Sequence, residues 1–184
     1  MKIYVMLADG FEEIEALSVV DVLRRGEADT VMVAVKNGRT VMGAHHIPVV
    51  ADVLLTDIKV NREDMIVLPG GGVGVQNLAA SEPLIGLLKE HQSYKGLLAA
   101  ICAGPTIPGK LGFYKDIKAI CYPGCEGDLL GAVISREDVV VHRNFITSRG
   151  PGTSLAFAYK LLEMVKGAET AKKVSSGMLY NKVP

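Results

Sequence analysis

The sequence predicts an α/β protein, a three-layer sandwich in which helices cover both faces of a mostly parallel central sheet. Short apolar segments alternate along the chain with segments of helical periodicity. Two segments, 64–68 and 96–101, are almost continuously apolar, which is typical of strands buried on both faces. No repeat, linker or change of composition divides the 184 residues, so one domain spanning 1–184 is expected.

Composition narrows the classes of function. The 20 basic and 20 acidic residues balance, so the charge footprint of a nucleic-acid-binding protein is absent. The apolar runs are too short to cross a bilayer, and the first residues lack a signal-peptide cleavage pattern. Three cysteines are an odd count in a chain that needs no disulfides, which indicates free thiols and a cytoplasmic location. A small molecule is therefore the expected partner, rather than nucleic acid or a membrane.

The first half of the chain predicts a strand–helix–strand unit, a small hairpin and a further strand. Helical periodicity covers Glu12 to Arg25 and ends at Gly26. The hairpin joins 41–42 to 47–50 across a loop that contains His45 and His46. The three strands are expected at 3–8, 29–35 and 64–68.

One carboxylate of the first helix is expected next to the apolar core. At 100° per residue, Glu15 falls between Val19 and Val22 at the edge of the apolar face. The two glutamates before it are explained by the favourable interaction of acidic residues with a helix start. Glu15 is therefore the carboxylate that we expect to be half-buried.

The glycine-rich segment 69–74 follows the strand at 64–68. Bare backbone N–H groups at the end of a strand suit a phosphate or an oxyanion. The spacing of these glycines does not match the dinucleotide fingerprint, and the Lys-Ser/Thr ending of a phosphate-binding loop is missing, so no cofactor is expected. A plain tight turn remains the alternative.

The second half of the chain predicts four helical segments and four strands. Ser81 caps the first helix, and the helix that follows Cys102 is expected to be short because Pro108-Gly109 interrupts it. The helical segments are expected at 81–92, after Cys102, at 154–166 and at 168–178, with a short turn of helix near 125–130. The strands are expected at 96–101, 117–121, 139–142 and 145–147.

The junction between strand 96–101 and the next helix places Cys102 on a sharp turn. Such a turn exposes one side chain at the carboxyl end of a central strand, where open α/β sheets carry their chemistry. Free N–H groups and a helix start would favour the thiolate and lower the thiol pKa. The alternative is a buried core cysteine. Three loops, 10–15, 69–74 and 102–105, are expected to meet at this edge of the sheet.

Metal sites are not favoured. Adjacent residues on a strand point to opposite faces, so His45 and His46 are interpreted as a polar loop rather than as ligands of one ion. Cys121 and Cys125 have a spacing that occurs in zinc sites, but no second pair of ligands follows.

Four motifs, in order and spacing, resemble the ThiJ/PfpI superfamily, and within it the branch of the Parkinsonism-associated deglycase protein and its bacterial relatives. They are ADGFEEIEA, VLPGGGVGVQNL, AAICAGPT and TSRGPGTSLAFA, and the similarity spans nearly the whole chain. The resemblance implies a flavodoxin-like sandwich, a homodimer and a reactive cysteine. By motif position, that cysteine is Cys102 and its acidic partner is Glu15. The backbone amides of Gly71 and Ala103 would line the oxyanion pocket.

The chain departs from the family pattern at two positions. Close relatives carry a histidine where this chain has Tyr122, and the protease branch carries one where it has Ala103. A Cys-His protease is therefore not expected. Tyr122 can donate a hydrogen bond, but its high pKa makes it a poor base. His45 lies near the position of a basic pocket residue of the relatives and is a candidate to act across a subunit interface.

Two functions follow from these residues. In the first, Cys102 attacks a small 2-oxoaldehyde or an early glycation adduct, with a protonated Glu15 as its proton donor. In the second, the protein is an oxidative-stress sensor or chaperone, and Cys102 is oxidised to a sulfinic acid.

Overall fold

A seven-stranded sheet forms the middle of the protein. The computed structural model describes residues 1–181. From one edge of the sheet to the other, its strands are β10 (Val139–His142), β11 (Phe145–Ser148), β7 (Leu97–Ile101), β6 (Met65–Leu68), β1 (Ile3–Leu7), β2 (Thr30–Ala34) and β5 (Val53–Leu54). Every neighbouring pair is parallel except β10 with β11. Strands β1, β6 and β7 are therefore adjacent, so their carboxyl ends lie at one edge of the sheet. The predicted sandwich with a mostly parallel sheet is confirmed.

The strands are β1 Ile3–Leu7, β2 Thr30–Ala34, β3 Thr40–Met42, β4 Pro48–Val50, β5 Val53–Leu54, β6 Met65–Leu68, β7 Leu97–Ile101, β8 Lys118–Ala119, β9 Val133–Ile134, β10 Val139–His142 and β11 Phe145–Ser148. The helices are α1 Glu13–Arg25, α2 Gly72–Ala79, α3 Glu82–Ser93, α4 Thr106–Lys110, α5 Ser154–Lys166 and α6 Ala168–Gly177. None of the helices formed by residues 1–181 is long and apolar enough to span a bilayer.

Two apolar clusters hold the three layers together. On one face of the sheet, α1, α5 and α6 pack through residues such as Val19, Phe157 and Ala171. On the other face, α2, α3 and α4 pack through residues such as Leu78 and Leu88. The strands contribute alternate side chains to the two clusters, which explains why their sequences are apolar without alternation.

The structure corrects four of the predicted elements. Helix α2 begins at Gly72 inside the glycine-rich segment that we expected to be a loop. Strand 117–121 shortens to β8, which pairs with β9 in a separate small sheet. The helix after Cys102 is short as predicted, since α4 has five residues and ends at Lys110, but Pro108 and Gly109 lie within it. Pro108 is tolerated there because it falls in the first turn, where its missing N–H costs nothing. The segment expected to be helical at 125–130 contains only a 3-10 turn, Glu126–Asp128.

Candidate active site

Three loops meet at the carboxyl ends of β1, β6 and β7. The N–H of Glu12 donates to the carbonyl of Gly70 at 3.0 Å, and the N–H of Gly74 donates to the carbonyl of Gly10 at 3.0 Å. These bonds join the loop after β1 to the loop after β6. The loop after β7 begins at Cys102 and lies beside both, because β7 is the neighbour of β6. The predicted convergence of the three loops is thus present in the structure.

Cys102 occupies the sharp turn that ends β7. Its φ of 63° lies in the left-handed region, which is uncommon for a residue with a side chain and marks backbone strain. The turn is held on both sides. The N–H of Cys102 donates to the carbonyl of Ser148 at 3.0 Å, and its own carbonyl accepts from the N–H of Tyr122 at 2.7 Å. Cys102 is 9% exposed and belongs to the apolar cluster on the α1 face of the sheet, so the expectation that the turn exposes this side chain is wrong.

Glu15 is completely buried, whereas the sequence predicted half burial. Its Oε2 accepts a hydrogen bond from the N–H of Gly70 at 2.7 Å. Its Oε1 has no hydrogen-bond partner among the described residues. An ionised carboxylate with a bare oxygen in an apolar environment is costly, so this setting favours the neutral carboxyl.

Gly70 lies between the carboxyl of Glu15 and the thiol of Cys102. A Cβ at this position would lie 2.5 Å from Oε2 of Glu15 and 3.0 Å from Sγ of Cys102. Glycine is therefore required for the two groups to flank the same point of the backbone. Sequence reasoning did not single out Gly70, although the run of three glycines after β6 was the available signal.

Gly71 and Ala103 direct backbone N–H groups toward the sulfur, and both favour its charged form. Gly71 has a φ of 93°, and a Cβ there would lie 2.2 Å from the carbonyl oxygen of Gly10. Only glycine fits this position. The two residues named by the sequence motifs as oxyanion donors are thus located next to the thiol.

Burial dominates the proton affinities of the pair. Desolvation raises the pKa of Glu15 to about 7, against the hydrogen bonds to Cys102 and Gly70. Desolvation and the negative charge of Glu15 raise the pKa of Cys102 to about 12, and the N–H groups of Ala103 and Gly71 offset only part of this. The expectation of a lowered thiol pKa is therefore wrong. The two groups are coupled, because protonation of Glu15 removes a charge that opposes the thiolate.

Tyr122 stands at the rim of the site. Its side chain is 49% exposed, and its ring lies close to Gly150, where an added Cβ would be 3.2 Å from Cδ2. The same Cβ would be 3.9 Å from Sγ of Cys102. Tyr122 therefore forms part of the wall beside the thiol, at the place where the relatives were expected to carry a histidine.

His45 is engaged within its own chain. Its Nδ1 lies 2.8 Å from Glu13 Oε2 and 3.7 Å from Glu12 Oε1, and the hydrogen bond to Glu13 raises the pKa of His45. Within residues 1–181, Glu12, Glu13 and His45 are the only group of three whose ligating atoms are close enough to hold a metal ion. The attraction between His45 and the two glutamates is enough to explain why these three side chains lie close together, without a metal ion. Cys121 and Cys125 are free thiols and belong to no such group in the same residues.

The fold and the motifs agree with comparisons to known proteins. The family model described as DJ-1/PfpI family matches residues 1–164. The chain belongs to the DJ-1/PfpI family. It is 37% identical over 161 residues to glutathione-independent glyoxalase DJR-1.2 of Caenorhabditis elegans, covering 86% of this chain and 84% of that one. The structure of oxidized DJ-1 from Toxoplasma gondii matches with a TM-score of 0.92 and 33% identity over 98% of each chain.

Plant members of the family are longer than this chain. Protein DJ-1 homolog B of Arabidopsis thaliana is 39% identical over 179 residues, which are 97% of this chain but 41% of that relative. The chain therefore spans less than half of the plant protein.

Proposed function

We propose that the protein converts small 2-oxoaldehydes to 2-hydroxy acids without glutathione, with Cys102 as nucleophile and Glu15 as proton carrier. One observation carries the proposal, which is that the Glu15 carboxyl and the Cys102 thiol flank Gly70 next to two convergent N–H groups. A nucleophile, a base with a pKa near neutrality and an oxyanion site are the parts that addition to a carbonyl requires.

The reaction begins from the neutral thiol. Sγ of Cys102 bonds to the aldehyde carbon while Glu15 accepts the thiol proton, and the N–H groups of Gly71 and Ala103 stabilise the new oxyanion. Return of that proton gives a hemithioacetal. A raised thiol pKa does not prevent this sequence, because the thiolate forms only as the proton moves to Glu15.

Glu15 then moves the second proton. It removes the hydrogen from the former aldehyde carbon to give an enediol, and it returns a proton to the neighbouring carbon. The product is a thioester of Cys102 with a 2-hydroxy acid, which water hydrolyses to the free thiol and the acid. The net change is addition of one water, as in methylglyoxal to lactate, so no redox cofactor takes part.

The pKa of Glu15 suits this role. A group with a pKa of about 7 is partly ionised at neutral pH and can both accept and return a proton. Relatives support the chemistry, since one member of the family is named a glutathione-independent glyoxalase. Early glycation adducts, in which the aldehyde carbon is already bound to an amine or thiol, would join the same path after that C–N or C–S bond breaks: the amine or thiol leaves with a proton, the hydroxyl proton passes to Glu15, and Cys102 adds to the aldehyde that re-forms.

Tyr122 and His45 would contact the substrate without taking part in proton transfer. The Tyr122 hydroxyl would donate a hydrogen bond to the substrate carbonyl at the rim of the site, without acting as a base. His45 would reach substrate only from a second copy of the chain, because its contacts within this copy are to Glu12 and Glu13.

A direct assay tests the proposal. Purified protein should convert methylglyoxal to lactate in the absence of glutathione, and Cys102→Ser should abolish the conversion. Cys125→Ser is the matched control, since it removes a thiol that is more exposed but distant in sequence from the reacting loop. Absence of lactate with the wild type, or equal rates for wild type and Cys102→Ser, would reject the proposal.

Oxidative sensing is the second candidate function. It is favoured because a buried neutral carboxyl beside Cys102 can hydrogen-bond the oxygens of a sulfinic acid, and because a relative has been observed in an oxidized form. Mild peroxide should add two oxygens at Cys102, as located by peptide mass spectrometry. Oxygen spread over Cys121, Cys125 and the methionines would contradict it.

We also propose a cytoplasmic homodimer. Four large apolar side chains are exposed on α1 and the β3–β4 hairpin, namely Ile14, Met42, Ile47 and Val50. The hairpin lies against the start of α1 through the bonds of His45 to Glu13, so the four lie on neighbouring elements. Light scattering should give a dimer mass for the wild type and a monomer mass for Ile47→Lys; a wild-type monomer would refute the assembly.

A further inference from the structure

A second cavity adjoins the reacting thiol. It is an open, shallow cavity of about 400 Å³, and its walls include Tyr122, Pro123, Asp138, Arg149, Gly150 and Pro151. The mechanism above assigns no role to it. The cavity is large enough for the remote end of a small substrate whose aldehyde lies at Cys102.

Gly150 separates this cavity from the sulfur. Gly150 lines the cavity, and a Cβ added to it would lie 3.9 Å from Sγ of Cys102 and 3.2 Å from the ring of Tyr122. A side chain at this position would therefore crowd the Tyr122 ring, so glycine lets that ring lie against the backbone beside the thiol. A substrate held at Cys102 would reach Arg149 along the half-exposed Tyr122.

The loop that carries Arg149 is rigidly held. Thr153 Oγ1 lies 2.7 Å from Ser148 Oγ and accepts from the N–H of Gly150 at 3.2 Å. The N–H of Thr153 donates to the carbonyl of Gly150 at 2.9 Å, and Ser154 Oγ donates to the carbonyl of Pro151. The cavity wall is thus preorganised, as a binding subsite requires.

Arg149 supplies the positive charge of the cavity. Its Nη2 lies 3.1 Å from Asp138 Oδ1, and both side chains are about half exposed. Among the described residues, Asp138 is the only charged partner of this guanidinium. An exposed ion pair is weak, because water competes for both groups, so a carboxylate of the substrate can bind the guanidinium beside Asp138 or in its place. The planar guanidinium can bind a carboxylate through two hydrogen bonds.

We propose that this cavity is a subsite for a carboxylate, and that the preferred substrates are 2-oxoaldehydes bearing a carboxylate at the end remote from the aldehyde. The inference rests on the proposed function for its substrate class. Arg149 binds the remote carboxylate, while Cys102 and Glu15 act on the aldehyde end.

Two five-carbon substrates test the charge preference. 4,5-Dioxopentanoate carries a carboxylate where 2-oxopentanal carries a methyl group, and the two give 2-hydroxyglutarate and 2-hydroxypentanoate. We expect kcat/KM of the wild type to be at least tenfold higher for the anion. Arg149→Gln should lower this ratio at least tenfold. Arg62→Gln, an exposed arginine before the amino end of β6, removes the same charge at the opposite end of the sheet and should leave the ratio unchanged.

Asp138→Asn tests the subsite in the opposite direction. It removes the carboxylate that competes for Arg149, so the ratio of kcat/KM for 4,5-dioxopentanoate to kcat/KM for 2-oxopentanal should rise about threefold or more. If that ratio is near one in the wild type, or is the same in the wild type and Arg149→Gln, the proposed subsite is rejected.

A measurement without turnover separates this inference from the proposed function. N-ethylmaleimide and N-(2-carboxyethyl)maleimide differ by one carboxylate, and peptide mass spectrometry gives the rate at which each modifies Cys102. The ratio of the anionic to the neutral rate should fall at least fivefold in Arg149→Gln and stay constant in Arg62→Gln. If the wild type forms no hydroxy acid, the proposed function fails, and this ratio alone decides the subsite. An unchanged ratio rejects it.

Discussion

Replacing Glu15 by glutamine should stabilise the protein increasingly as the pH rises. Burial raises the pKa of Glu15 from 4.5 to about 7. In the unfolded chain the group ionises near 4.5, so between these values the folded state holds a proton that the unfolded state has lost. The free energy of unfolding of the wild type therefore falls as pH rises through this window.

The size of this pH effect on stability follows from the pKa values of Glu15 in the unfolded and folded chain. The difference between 4.5 and about 7 corresponds to about 3 kcal/mol in the free energy of unfolding. Glutamine resembles the neutral carboxyl in shape and does not titrate. Glu15→Gln and the wild type should therefore be equally stable near pH 4.5 to within about 1 kcal/mol. At pH 8 the variant should be more stable by about 3 kcal/mol, or roughly 6–12 °C in Tm for a chain of this length.

Urea unfolding measures the difference in free energy of unfolding between Glu15→Gln and the wild type. It is repeated at one protein concentration and at intervals from pH 4.5 to 8. Other titrating groups occur in both proteins and cancel in the comparison. Glu12→Gln is a suitable control, because Glu12 is only partly buried and should show a smaller pH-dependent difference. A difference that stays flat over the whole range, or that favours the wild type at pH 8, would refute a buried Glu15 with a raised pKa.

Four other substitutions probe the surroundings of the site and the core. Gly38 and Gly71 both have a φ of 93°, but only Gly71 is crowded by backbone, so Gly38→Ala should cost about 1 kcal/mol and Gly71→Ala roughly 1–3 kcal/mol more. Equal losses in urea unfolding would contradict this. Tyr114→Phe should raise Tm, because the buried Tyr114 hydroxyl has no partner among the described residues; a lower Tm would show that the hydroxyl is satisfied. Burial lowers the pKa of His91 below 6.5, so the unfolded chain binds its proton first and stability should fall as pH drops below about 6.5. This loss of stability at low pH should be smaller in His91→Gln. An equal loss in the wild type and the variant would show that other groups cause it.

Local patterns predicted most of the fold. The apolar face of α1 placed Glu15 correctly next to the core, because helical periodicity fixes which side chains share a face. Helix α5 has the predicted bounds, since its apolar period stops at Gly167. The start of α2 was not predictable in the same way. Glycine disfavours helices, and only the packing of Val75 and Leu78 against the sheet shows why the helix forms there.

The sequence predicted which residues form the site, but it did not predict their pKa values. The position of Cys102 follows from a local strand and turn, and its left-handed φ agrees with that prediction. The thiol pKa depends instead on how much water the fold excludes and on Glu15, 87 positions away in the sequence. Local N–H groups favour the thiolate as expected, but desolvation outweighs them. The cavity at Arg149 likewise depends on how the loop after β11 packs against Tyr122.

The pH dependence of kcat/KM for methylglyoxal tests most directly whether Glu15 and Cys102 act as one pair. If Glu15 accepts the thiol proton, the value should rise from pH 5 to 8 with a midpoint near 7 and then level off. In Glu15→Gln it should be at least a hundredfold lower at pH 7 and show no inflection there. A wild-type profile that climbs without inflection to pH 10, in parallel with that of Glu15→Gln, would show that the thiol ionises without the carboxylate.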